Sequence, residues 1–108
     1  MKKQFRIKKS QEFQEIMKFK RFYTSPSLTI YVKPKKESLN RVGISVGKKL
    51  GGAVTRNKIK RQVRMMVQEC YDFNEQFDTI ILIREQFVKE SYLTNKNHLE
   101  TLIKKVKI

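Results

Sequence analysis

Residues 47–64 of this 108-residue chain read GKKLGGAVTRNKIKRQVR and predict its central helix. Glycines punctuate the first six residues of this stretch, and the rest has the spacing of an amphipathic helix that runs from about Ala53 or Thr55 to Tyr71. At about 100° per residue, the apolar side chains of this helix form a single stripe. The stripe consists of Ile59, Val63, Met66, Val67 and Cys70. We expect this face to pack into the core.

A second stripe on the same helix is basic and lies about 110° around the axis from the apolar one. It consists of Arg56, Asn57, Lys60, Arg61 and Arg64. Like charges at this i, i+4 spacing cost about 0.2–0.5 kcal/mol each, and cations in the first turn oppose the helix dipole. No Asp or Glu occurs between Glu37 and Glu69 to offset them. The stripe therefore predicts a surface that binds an anion.

The charge of the whole chain has the same bias. The formal net charge is +15; residues 1–68 hold 19 Lys and Arg against 3 Asp and Glu, whereas residues 69–108 hold 6 against 7. Such asymmetry indicates a dedicated surface for a polyanion, of which nucleic acid is the first candidate. Leu, Ile, Val and Phe number 32 in total, which suffices for one modest core.

Periodic segments on either side of this helix predict a single α+β domain over residues 1–108, with residues 1–9 as a basic N-terminal arm. Two runs in which apolar and polar residues alternate, at 28–33 and 41–46, predict an antiparallel hairpin with one buried face. A β-branched run at 79–83 predicts a strand buried on both faces. The order is αββ(β)αβα, which predicts helices packed on one sheet in a sandwich. The other predicted elements are a helix at 11–20, a short strand near 22–24, strands at 28–33, 41–46 and 79–83, a connection at 73–77 and a helix at 94–105.

The polar face of the predicted hairpin is expected to form a surface beside the basic helix. Its residues are Thr29, Tyr31, Lys33, Arg41 and Ser45. An aromatic side chain such as Tyr31 can stack on an unpaired base, as it does in proteins that bind single strands.

Several other chemistries are disfavoured. One cysteine, Cys70, and one histidine, His98, make neither a disulfide nor a zinc site, and we interpret Cys70 as a buried structural residue. No apolar run is long enough to span a membrane, and the phosphate-binding loop GxxxxGK[ST] is absent. Four carboxylates recur every three residues, but this spacing does not match a continuous helix, so a metal-dependent nuclease is not favoured. They are Glu69, Asp72, Glu75 and Asp78.

The motif RNKIKRQVR at 56–64, with RVGISVGKK at 41–49 before it, resembles the signature of the bacterial ribonuclease P protein subunit. The resemblance implies an α-β sandwich of the ribosomal protein S5 domain 2-like type with a left-handed βαβ crossover, where general rules favour a right-handed one. It also implies a protein that assists removal of the 5′ leader from precursor tRNA, and the single cysteine and the lack of a long apolar run predict that the protein is cytoplasmic. In that family the RNA subunit carries out the hydrolysis with Mg²⁺. We therefore expect the protein itself to have no catalytic residue, no metal site and no bound cofactor, and to require neither a protein partner nor a membrane.

The resemblance further implies two sets of binding residues. Those expected to contact the catalytic RNA are Lys48, Lys49, Arg56, Asn57, Lys58, Lys60, Arg61 and Arg64. Those expected to line a cleft for the single-stranded leader are Phe13, Met17 and Tyr31, with Arg56 and Asn57 at its edge. Met17 stands where the family often has an aromatic residue.

Other functions remain open on the residues alone. The main alternative is a ribosome-associated or general RNA-binding protein without a role in tRNA cleavage. A DNA-binding regulator is less favoured, since a major-groove module normally presents its basic helix opposite its core face. A stand-alone nuclease is less favoured because of the carboxylate spacing described above.

Overall fold

The computed structural model describes residues 2–71 and 75–107, and within them a four-stranded sheet has helices on both faces. The helices are α1 (Ser10–Lys18), α2 (Ala53–Cys70) and α3 (Tyr92–Lys105). The strands are β1 (Phe22–Thr24), β2 (Leu28–Pro34), β3 (Val42–Ser45) and β4 (Phe77–Ile83). Short 3-10 helices occupy Lys3–Phe5, Lys48–Leu50 and Glu85–Lys89. This order confirms the α+β class and the extra short strand.

The order of strands in the sheet is β1-β2-β4-β3, so the predicted hairpin between residues 28–33 and 41–46 is wrong. β4 lies between its two strands, antiparallel to β2 and parallel to β3. β4 is apolar on both faces, and a position between two strands keeps it from being a long hydrophobic edge strand that would pair with other molecules. The β2–β3 connection crosses the start of β4, where Lys35 N donates to Gln76 O at 3.0 Å and Thr79 N donates to Arg41 O at 3.0 Å.

Both faces of the sheet are covered, which corrects the expectation of one buried face. The alternation in β2 is confirmed, because Leu28, Ile30 and Val32 are fully buried in the larger core with residues of α2 and α3. The opposite face packs against α1 through a smaller cluster. That cluster contains Ile7, Ile16 and Ile80, with Phe13 and Tyr31 packed against it.

Both α2 and the N-terminal arm are positioned by β3, the first through the chain connection and the second through backbone pairing. α2 joins β3 to the parallel strand β4, which makes the βαβ unit that the resemblance implies; its left-handed sense stays a prediction. The N-terminal arm lies along β3, because Arg6 pairs in parallel with Val42 and Ile7 N donates to Val42 O at 2.9 Å. The arm and α2 thus approach the same edge of the sheet.

The predicted boundaries of α2 are confirmed to within one residue at its C-terminus. The predicted connection at 73–77 lies partly outside the described residues, and Phe77 already belongs to β4. None of the helices in the described ranges combines the length and the hydropathy that crossing a bilayer requires.

Candidate nucleic-acid interface

The basic stripe of α2 forms the centre of the candidate interface. Arg56, Lys60 and Arg64 are half-buried, whereas Asn57 and Arg61 are exposed. The first turn of α2 contains no acidic residue, and its N-cap, Gly52, provides no side-chain hydrogen bond. The positive end of the helix dipole therefore adds to the side-chain charge instead of being offset. The exposed Lys48 and Lys49 lie in the 3-10 helix just before α2.

A cavity of about 330 Å³ lies between the arm, α1, β3 and α2. Eight described residues line it: Arg6, Ile7, Lys8, Phe13, Val42, Ile44, Lys60 and Arg64. Four of them are cations, four are apolar and none is acidic. Such a site has apolar walls for a base or ribose and several donors for phosphate oxygens.

The cations of this cavity are held close to one another. Burial and the charge of Arg6 both lower the pKa of Arg64, burial being the larger cause. The buried Nε atoms of Arg56 and Arg64 have no hydrogen-bond partner within residues 2–71 and 75–107. Like charges and unpaired donors in one place are unfavourable until an anion neutralises them.

Sequence reasoning missed Arg6 and Lys8, which it assigned only to a basic arm. A signal was present, because Phe5 and Ile7 alternate with Arg6 and Lys8 as in a short strand. Pairing with β3 directs Ile7 into the small cluster under α1 and brings Arg6 to Arg64.

Lys58 lies apart from the other residues of the predicted RNA-binding set. It faces a separate cavity of about 230 Å³ between α2 and the segment that leads into α3, with Phe87 and Tyr92 in the opposite wall. Lys58 and Lys60 are two residues apart, hence about 200° apart around the helix. The structure therefore groups Lys60 with Arg64 but not with Lys58.

The aromatic residues of the predicted leader cleft lie on the face of the sheet under α1. Phe13 and Tyr31 are half-buried and pack against the same small cluster. Phe13 packs directly over Gly43, where a Cβ atom would lie 2.7 Å from Phe13 Cζ and 2.8 Å from Ile80 Cδ1. A glycine is thus required at position 43 for the ring to lie this close to the sheet.

The cavity beside Phe13 has a different lining from that expected for the leader cleft. Met17 is half-buried one turn after Phe13 on α1 but is not among the residues that line this cavity. The cavity lined by Phe13 contains Lys60 and Arg64, not Arg56 and Asn57.

Arg41 fixes α1 against the sheet and is not a free cation of the surface. Its Nη2 lies 2.5 Å from Glu12 Oε2 on α1 and 3.9 Å from Asp78 Oδ2 on β4, and its backbone N donates to Asp78 Oδ1 at 2.8 Å. The Arg41 hydrogen bond lowers the pKa of Glu12, whereas burial raises the pKa of Asp78. The expected polar surface is further reduced because Thr29 is only 7% exposed.

Two of the carboxylates considered for a metal site, Glu69 and Asp78, make other contacts. Glu69 binds Lys96 at 2.7 Å and accepts from Tyr92 OH at 3.0 Å, and Asp78 binds Arg41. Asp72 lies outside the described residues. Over the ranges 2–71 and 75–107, no three His, Cys, Asp or Glu residues group closely enough to hold a metal ion.

Cys70 is half-buried at the end of α2, and its Sγ donates to Met66 O at 2.9 Å. Burial raises the pKa of its thiol from 9.0 to about 11. At pH 8 the reactive thiolate is therefore about 100-fold scarcer than in an ordinary thiol.

We expect iodoacetamide to alkylate Cys70 at least about 100-fold more slowly in the folded protein than in urea at pH 8. Equal rates in the two states would show that the thiol is accessible and ionised.

The chain is similar to proteins of a single kind along nearly its whole length. The protein-family model for ribonuclease P matches residues 1–107. A ribonuclease P protein component from Mesoplasma florum is 43% identical over 105 residues, which cover 95% of this chain and 96% of the relative. The corresponding protein of Enterococcus faecalis is 38% identical, covering 96% of this chain and 92% of the relative.

Solved structures show the same fold. The Staphylococcus aureus RNase P protein superposes with a TM-score of 0.81 at 37% identity, covering 93% of each chain. The Thermotoga maritima RNase P protein superposes with a TM-score of 0.82 at 24% identity, covering 95% of this chain and 98% of the other, and at that identity it supports the fold alone.

Proposed function

The chain belongs to the ribonuclease P protein component family, and from that premise we propose that it binds both the catalytic RNA subunit and the single-stranded 5′ leader of precursor tRNA. It thereby assists the endonucleolytic cut that produces the mature 5′ end of tRNA. The RNA subunit carries out the hydrolysis, and its Mg²⁺ ions belong to that RNA-catalysed reaction.

The cavity between the arm and α2 is the observation on which this proposal rests. It combines four cations with four apolar residues and has no acidic residue in its described lining. A folded RNA offers phosphates in such density that several can contact these cations at once. Neutralisation of the phosphates reduces the concentration of divalent metal that the RNA needs in order to fold.

The aromatic residues under α1 support the second part of the proposal. Phe13 lines the basic cavity, and Tyr31 is half-buried against the same small cluster as Phe13. Aromatic side chains bind unpaired bases by stacking. A leader held there distinguishes precursor tRNA, which has it, from mature tRNA, which does not. This role is differential binding of substrate over product and needs no acid–base group from the protein.

Reconstitution tests the proposal directly. Ribonuclease P RNA is mixed with precursor tRNA at a magnesium concentration too low for the RNA to act alone, and this protein is then added. We expect cleavage at the mature 5′ end to be restored, and the protein without the RNA to cleave nothing. If the protein binds the RNA without restoring cleavage, the alternative of a general or ribosome-associated RNA-binding protein is supported instead.

Tyr31→Ala is expected to reduce the preference of the holoenzyme for leader-bearing tRNA. Loss of one stacked base costs about 1–3 kcal/mol, hence roughly 5- to 150-fold in affinity for precursor. Affinity for mature tRNA should remain unchanged, because that molecule has no leader. The two dissociation constants, measured with the same reconstituted holoenzyme, check this prediction, and an equal loss for both ligands would contradict a role in leader binding.

A further inference from the structure

Phe22 is a large apolar side chain that the fold leaves exposed at the edge of the sheet. It is 55% exposed, although its ring packs against Tyr31 with centroids 5.6 Å apart and planes inclined by 41°. The two residues are directly opposed in the register of β1 and β2, so both lie on the face of the sheet that α1 packs against. Together they form a surface of two adjoining rings, one half-buried and one exposed.

The segment around these rings is cationic. No Asp or Glu occurs between Glu15 and Glu37. The cations of that segment are Lys18, Lys20, Arg21, Lys33, Lys35 and Lys36. Lys33 follows Tyr31 on the same face of β2. A single exposed apolar residue is common on protein surfaces, but an exposed ring within a basic, acid-free segment is the combination that binds single-stranded nucleic acid.

We propose that Phe22 and Tyr31 form a stacking subsite for one unpaired nucleobase of single-stranded RNA. The inference rests on the proposed function, from which it takes the leader of precursor tRNA as the occupant. Tyr31 is half-covered beneath α1, so the exposed ring of Phe22 extends the aromatic surface outward along the sheet.

Leader nucleotides without bases provide the test. The holoenzyme is reconstituted with ribonuclease P RNA, and binding is measured for precursor tRNAs in which one leader position at a time is abasic. In the wild-type protein we expect one position where loss of the base weakens binding by roughly 5- to 20-fold. In Phe22→Leu the penalty at that position should become smaller, because Tyr31 is then the only ring left to stack on the base, while binding of RNAs abasic at the other positions should not change relative to the intact leader. Leucine keeps apolar bulk on the strand but has no π-face.

Two further variants separate stacking from a structural role. Phe22→Tyr keeps an aromatic face and should retain the penalty. Phe19→Ala is the matched control, because Phe19 is a neighbouring aromatic residue of similar exposure, 46%, that lies about 200° around α1 from Met17. We expect Phe19→Ala to leave the abasic profile unchanged.

The possible outcomes distinguish this inference from the proposed function. If Phe22→Leu retains every abasic penalty of the wild type, the subsite is overturned while leader binding stands. If the wild-type holoenzyme shows no abasic penalty and no preference for leader-bearing tRNA, the proposed leader binding itself fails, and the subsite fails with it.

Discussion

The affinity of this protein for ribonuclease P RNA is expected to fall about 10³- to 10⁴-fold as monovalent salt rises from roughly 50 to 200 mM. The cations available for phosphate contacts are Arg6, Lys8, Lys48, Lys49, Arg56, Lys60, Arg61 and Arg64. If about 6–8 phosphates are engaged, each contact releases counterions, and the logarithm of the association constant falls against the logarithm of salt with a slope near −5 to −7. A salt titration of binding at fixed magnesium measures this slope.

Substitutions that each remove one positive charge test which residues contact phosphates. Arg64→Gln should reduce the steepness of the slope by about 1, because one phosphate contact is lost. Lys104→Gln is the matched control: it removes the same charge from an exposed position near the end of α3, in the part of the chain without excess positive charge, and should leave the slope unchanged. An affinity insensitive to salt would exclude the interface as described.

The central helix could be predicted from the sequence because its determinants are local. The spacing of Ile59, Val63 and Met66 indicates one helical face, and Arg56, Lys60 and Arg64 mark the next, within the helix that the structure contains. Strands β2, β3 and β4 were likewise predictable from short alternating or β-branched runs. Each of these features depends on residues close together in the chain.

The order of the strands could not be read in this way, since pairing depends on contacts between distant segments. The polar turn after β2 indicates a hairpin locally, yet the doubly apolar β4 gains more by lying between β2 and β3. The same limit applies to the site. Arg6 reaches Arg64 only because Ile7 pairs with Val42, and Arg41 leaves the surface only because α1 and β4 bring Glu12 and Asp78 to it.

Arg41→Met is expected to lower the free energy of unfolding by about 3 kcal/mol at neutral pH. The side chain of Asp78 is 4% exposed, and that of Arg41 is 13% exposed. Removal of the guanidinium leaves a carboxylate buried without its cation, which costs more than the contact itself contributes. Methionine keeps most of the stem, so the change isolates the charge. Urea unfolding followed by circular dichroism measures the loss.

A matched substitution and the pH dependence identify the cause of that loss. Lys36→Met removes the charge of a lysine whose side chain is 66% exposed and whose Nζ lies 3.9 Å from Glu15 Oε2, and it should lower the free energy of unfolding by less than about 0.5 kcal/mol.

The pH dependence of stability has two contributions of opposite sign. The contribution of Glu12, whose pKa is lowered in the folded protein, is present above its unfolded pKa near 4.5 and is lost as pH falls through the folded value. Burial of Asp78 has the opposite sign: its raised pKa means that the folded state disfavours the ionised form. In the Arg41→Met variant, protonation of Asp78 removes the unpaired buried charge. The loss in free energy of unfolding caused by Arg41→Met should therefore become smaller as the pH falls through the raised pKa of Asp78. The double variant Arg41→Met with Asp78→Asn should likewise recover part of the loss at neutral pH. A cost equal to that of Lys36→Met and independent of pH would show that Arg41 does not stabilise the contact between α1 and the sheet through charge.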